Sequence, residues 1–144
     1  MPYLASGLDG LAELTDADVS RIRKTNETPS RINVYDVLRC VFGIPQKDTF
    51  HTLDRLREQY PEVQALCLNF NFPGQGQRET PVTDARGIVR IIMLLPGRAA
   101  APVRAKAADV LVRYLGGDPC LATKIIKNKQ RQERLARDNN DDNE

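Results

Sequence analysis

The 144 residues include no tryptophan, a single histidine and three cysteines. Each scarcity removes a class of function. Imidazole catalysis would have to run through His51, paired with Cys40, Cys67 or Cys120 and oriented by Asp54 one turn along, and no local signature supports that arrangement over a surface histidine on a helix. Asp48, His51 and Asp54 stand three apart on one helical face but have no further ligand close by, so they read as helix-surface residues. Cys40, Cys67 and Cys120 are odd in number, widely spaced and free of any Cys-x-x-Cys. That pattern argues against a disulfide framework and a zinc site, and for an intracellular, reducing compartment. The start, MPYLASGLDG, lacks a basic end and an apolar segment, so no secretory signal is expected. No apolar run reaches the length of a bilayer span, and no membrane association is expected. Gly74-x-Gly76 lacks the Gly-Lys-Ser/Thr of a phosphate loop and the spacing of a dinucleotide site. The expectation is a protein that is not an enzyme, with no cofactor and no metal.

What the chain does have is an uneven charge distribution. The net charge is only +2, yet residues 1 to 20 carry four acids and no base, and residues 138 to 144 carry four more acids. With those eight set aside, 11 acids face all 21 bases, a net charge of +10 for residues 21 to 137. Most of the bases are arginine. A basic middle between acidic ends suits a polyanion partner for which the ends compete.

The periodicity divides the chain into short elements. Thr15 and Asp18 resemble a capping box, flanked by Leu14 and Val19 as a staple, and predict a short helix to about Lys24. In RINVYDVLRCVFGIP, Asn33 caps, Ile32 and Val37 staple, and Val34, Val37, Leu38, Val41 and Phe42 form one apolar face. Gly43 and Pro45 end that helix. A second helix follows through Phe50, Leu53, Leu56 and Tyr60, and Pro61 stops it. From Val63 to Phe72 the period becomes two, with Leu66, Leu68, Phe70 and Phe72 on one face, which predicts a strand. PGQGQ supplies a turn and RETPV a return strand. Thr83 or Asp84 then caps a helix with Ile88, Ile91, Ile92 and Leu95 inward, Val89 and Met93 widening that face, and Arg86 and Arg90 as the polar stripe. The next helix groups Val103, Ala107, Val110, Leu111 and Tyr114, and Gly116 ends it. Asp118 and Pro119 open a last helix holding six bases and one acid between Lys124 and Arg137, in which Glu133–Arg137 is the convincing i, i+4 pair.

The expected fold class is α+β: a small antiparallel β-hairpin or sheet at 63–83, packed against four to five helices that include 33–42, 49–60, 84–95 and 102–115, with a basic C-terminal helical extension. The organisation follows as an acidic N-terminal segment with a short helix (1–30), an α+β domain (31–122), a basic helix (123–137) and a disordered acidic tail (138–144). Arg78, Arg86, Arg90 and Arg98 surround the hairpin and the helix after it, while Lys124, Lys127, Lys129, Arg131 and Arg134 line the last helix. These nine are the candidate nucleic-acid contacts, because guanidinium and ammonium groups neutralise phosphate and arginine also reads guanine edges.

The order INVYDVLRCVFG, hairpin, PVTDARGIVRII, VRAKAADVLVRYL resembles the Bro-N and KilA-N-like DNA-binding modules of viral and phage antirepressor-type proteins. Asp36-Val37 with Phe42-Gly43 looks like the family's Asp-Val helix and glycine turn. Asp84, Gly87, Ile88, Arg90 and Ile91 look like its next conserved helix, and the likeness covers roughly residues 31 to 115. Ala107, Ala108 and Val110 stand where the family usually has Trp-Val. The resemblance implies a small non-enzymatic α+β domain that binds DNA and works beside variable partner domains. DNA is therefore the expected partner, with RNA as a further option, in the nucleus or nucleoid. The competing expectation is a protein-interaction or homo-oligomer module, with Ile125, Ile126 and Leu135 of the last helix docking locally.

Overall fold

A computed structural model describes residues 8–27, 30–74, 76 and 78–142. The chain is α+β, as the patterning requires. Residues 1–7 of the expected acidic segment and 143–144 of the expected tail lie outside the described residues.

The clearest local code is at Asn33. Its Oδ1 accepts from the backbone N–H groups of Tyr35 (2.9 Å) and Asp36 (3.3 Å), opening helix α2 over Val34–Cys40. Ile32 and Val37, the staple pair, are both fully buried. Gly43 takes φ +68°, and the Ile44 N–H reaches back to the Leu38 carbonyl at 3.1 Å, which closes the helix end. Ahead of α2, Ile32–Asn33 form strand β1, which the apolar periodicity did not reveal because two residues carry no period.

Helix α1 spans Leu8–Thr15 and ends where the capping-box reading places a start. Leu8, Leu11 and Leu14 turn toward the core, and the Thr15 hydroxyl donates back to the Leu11 carbonyl at 2.7 Å while its oxygen accepts from the Ala17 N–H at 3.3 Å, with no helix opening after it. Asp16 then adopts φ +56°, and Asp18 caps only a single 3₁₀ turn, Val19–Arg21. Helix α3 covers Gln46–Gln59, with Thr49, Leu53 and Leu56 buried, while Phe50 points outward at 55% exposure. Pro61 does stop α3, but it also begins helix α4, Pro61–Leu66, where its missing N–H costs nothing at the first helical position. The strand expected from 63 therefore shortens to β2, Leu68–Phe70. Val63 is buried from a helix, and Leu68 of the expected inward face is exposed.

Strand β3, Thr80–Thr83, returns antiparallel to β2 with Leu68 opposite Val82 and Phe70 opposite Thr80. The expected hairpin is present, with Gly74 (φ +87°) and Gly76 (φ +64°) in its loop. Its other edge pairs with β1, Ile32 opposite Thr83 and Asn33 opposite Val82, giving the order β1-β3-β2. Pro81 is tolerated in this central strand because β1 has already become α2 at Val34, the residue that would oppose it.

Helices α5 (Ala85–Leu94), α6 (Ala101–Leu115) and α7 (Pro119–Asp142) complete the chain. A single apolar core gathers Leu11, Ile22, Val37, Leu38, Leu53, Leu56, Val63, Ile88, Ile91, Ile92, Leu95 and Val103. The left-handed residue after α6 is Gly117 (φ +74°) rather than Gly116. Helix α7 continues through Asp142, past the boundary at 138 where a disordered tail is expected. Extending a formed helix fixes one residue per added hydrogen bond, so the Asn- and Asp-rich stretch follows the helix already nucleated before it.

Candidate nucleic-acid interface

The hairpin delivers the chain directly into α5, and two close contacts set the angle. Asp84 caps α5 by accepting from the Arg86 N–H at 3.0 Å. Gly87 lets the helix approach β3 so tightly that an added Cβ would lie 1.8 Å from Thr83 Oγ1. That hydroxyl donates to the Leu66 carbonyl at 2.7 Å, joining the end of α4 to β3. Ile88, Ile91 and Ile92 then turn inward, as their spacing predicts.

The outward face of α5 differs from the expected one. Val89 (51% exposed) and Met93 (44%) do not widen the buried face; they lie with Arg86 and Arg90 on the solvent side. At 100° per residue, positions 86, 89, 90 and 93 share one stripe, and the three isoleucines with Leu95 already saturate the opposite side. The result is a basic and apolar surface on one exposed helix. The spacing of 86, 89, 90 and 93 was the signal in the sequence for that mixture.

Within it the two arginines differ. The Arg86 guanidinium folds back on Asp84, with Nη2 at 3.0 Å and Nε at 3.3 Å from Oδ2. Burial by itself would raise the Asp84 pKa, but the hydrogen bonds and charge of Arg86, with the backbone N–H groups of Arg86 and Gly87, hold it below the ordinary carboxylate value. Arg90 is exposed and has no carboxylate within 4.0 Å among the described residues. Arg78 is exposed at the foot of β3, and its neighbour Glu79 is occupied by the Asn69 amide at 3.1 Å. Arg98 is exposed in the turn between α5 and α6, at a shallow depression that Arg55, Leu56 and Pro96 also line.

The five candidate bases of α7, Lys124, Lys127, Lys129, Arg131 and Arg134, are all exposed. Lys124 Nζ lies 4.0 Å from Glu13, and Lys129 lies 3.8 Å from Glu133 at i, i+4; the expected Glu133–Arg137 pair lies outside the described side chains. Lys127, Arg131 and Arg134 have no carboxylate within 4.0 Å among the described side chains. Helix α7 packs on α1 and α6, whereas α5 packs on α4, α6 and β3. The nine candidates thus form two groups: one on the hairpin, α5 and the turn after it, the other on α7.

Several bases counted in the +10 middle serve the fold instead. Asp36 is buried and accepts from the Arg23 N–H (2.9 Å), Arg23 Nε (3.0 Å) and Arg39 Nη2 (3.3 Å). Arg23 also stacks over the Phe72 ring at 5.3 Å. Arg104 donates to the Leu95 carbonyl at the end of α5, and Arg113 pairs with Asp118 at 2.8 Å. No helix among the described residues is long and apolar enough to cross a membrane. Compared with family models, curated proteins and solved structures, the chain has no match.

Proposed function

We propose that this α+β chain is a DNA-binding module of regulatory or genome-associated type. The observation that carries the reading is the outward stripe of α5, where Arg90 stands without an acidic partner beside exposed Val89 and Met93. A helix that shows both an unpaired guanidinium and small apolar groups can meet phosphates and the apolar edges of bases together. Arg78 and Arg98 extend the same positive group to either side, while Lys127, Arg131 and Arg134 offer a second phosphate-binding helix. Arg86 contributes by exchanging Asp84 for phosphate. The Bro-N and KilA-N-like resemblance supports the same reading.

Fluorescence anisotropy with a random-sequence duplex between 50 and 200 mM salt tests it. If the six unpaired bases each neutralise one phosphate, log K falls against log salt with a slope of about −5, a loss of roughly 10³-fold over that range. Replacing Lys127, Arg131 and Arg134 by Gln should roughly halve the slope, and Arg90→Ala should weaken binding at every salt concentration. Absence of binding at 50 mM salt refutes the reading. An equal preference for an RNA duplex would move the assignment to RNA, and selection from a random DNA pool reads specificity.

A further inference from the structure

The helix predicted to bury Val103, Ala107, Val110, Leu111 and Tyr114 buries only its first half. Val103 is in the core and Ala107 packs against it. One and two turns later the same stripe continues as Val110, Leu111 and Tyr114, but α6 has run past the core and these side chains meet solvent, Tyr114 at 70% exposure. Leu115 (82%) widens the surface beside Leu111, while Val112, half a turn round the helix from Val103, is exposed on the other side. The chain then reverses at Gly117 and Asp118. The Arg113–Asp118 pair and a 2.9 Å bond from the Asp118 N–H to the Arg113 carbonyl fix that turn. Beyond it, α7 adds exposed Ile125 and Ile126. Apart from Val112, six large apolar side chains are thus exposed on two helices joined by a braced turn.

We infer that this surface is the interface of a homodimer, with the α6–α7 corner of one copy packed on the same corner of a second. Area argues for it: the exposed parts of Val110, Leu111, Tyr114, Leu115, Ile125 and Ile126 amount to roughly 650 Å², within the range of about 600–1,000 Å² that each partner contributes to a standard interface. At the turn, Arg113 is neutralised by Asp118, and an isologous contact sets the same apolar residues of both copies against each other under a two-fold axis. The inference does not depend on DNA binding, since the assembly is measured without DNA.

Sedimentation equilibrium of the full chain from about 1 to 100 µM reads the mass directly. The expected result is a shift from the 16.2 kDa monomer to twice that mass. Leu111→Glu and Leu115→Glu change exposed positions, so each should keep the parent circular dichroism and weaken self-association at least 100-fold. Tyr114→Arg is the alternative if either loses its fold. Phe50→Glu, an equally exposed apolar site outside the patch, should leave the mass unchanged. A monomer at every concentration overturns the inference, as does a dimer that survives both glutamates.

Discussion

Gly87→Ala should destabilise the protein although alanine is the better helix former. An alanine Cβ would meet Thr83 Oγ1 at 1.8 Å and Thr83 Cβ at 2.8 Å. Thr83 is fully buried in the central strand, so it has no open space to retreat into. Either the hydroxyl gives up its 2.7 Å bond to the Leu66 carbonyl or α5 lifts away from β3. Overpacking of this kind costs about 1–3 kcal/mol, and the lost hydrogen bond adds about 1. Alanine returns about 1 kcal/mol through helix propensity, leaving a net loss of about 2 kcal/mol. For a chain of this size that lowers the thermal midpoint by about 8 °C. Urea unfolding of Gly87→Ala, Thr83→Ala and the double variant measures it. The double variant should lose less than the sum of the singles, because the clash is shared. A Gly87→Ala protein as stable as its parent would show that the approach of α5 to β3 is not held by this contact. The geometry that aims Arg86 and Arg90 would then rest elsewhere.

Asp36→Ala should cost about 3–4 kcal/mol in urea unfolding, because it leaves the Arg23 N–H and two guanidinium groups without their buried acceptor; a loss under 1 kcal/mol would refute a structural role for that carboxylate. The folded-state pKa of Asp84 is depressed, so its contribution is fully present above its ordinary value near 3.9 and is lost as pH falls through the lower folded value. Asp84→Asn keeps an N-cap and removes this proton linkage, so stability between about pH 5 and 2 should fall less steeply than in the parent. Identical pH slopes would refute the coupling to Arg86.

What could be read from the chain depended on how local the physics was. Asn33, Gly43 and Asp84 act on backbone groups within a few residues, so their roles as caps and stops are written in sequence. The buried face of α5 is equally legible, since Ile88, Ile91 and Ile92 repeat at the helical period. Thr15 was ambiguous because its hydroxyl can bond forward and backward and does both, so the side on which the helix forms was settled by which side carries leucines the core accepts. Leu66 to Phe72 alternates like a strand, but Pro61 starts a helix, and α4 packing on α5 takes Val63 into the core from that helix.

The sequence by itself determined the α+β class, the hairpin, the caps of α2 and α5 and the excess of positive charge in the middle of the chain. Each follows from period, turn chemistry or composition within a short window. Only the tertiary structure decided which bases remain unpaired, because Arg23 finds Asp36 across 13 positions and Lys124 finds Glu13 across most of the chain. It alone also showed that the apolar stripe of α6 outruns the core. A stripe records which side chains avoid water, whereas the extent of the core depends on where every other element stops.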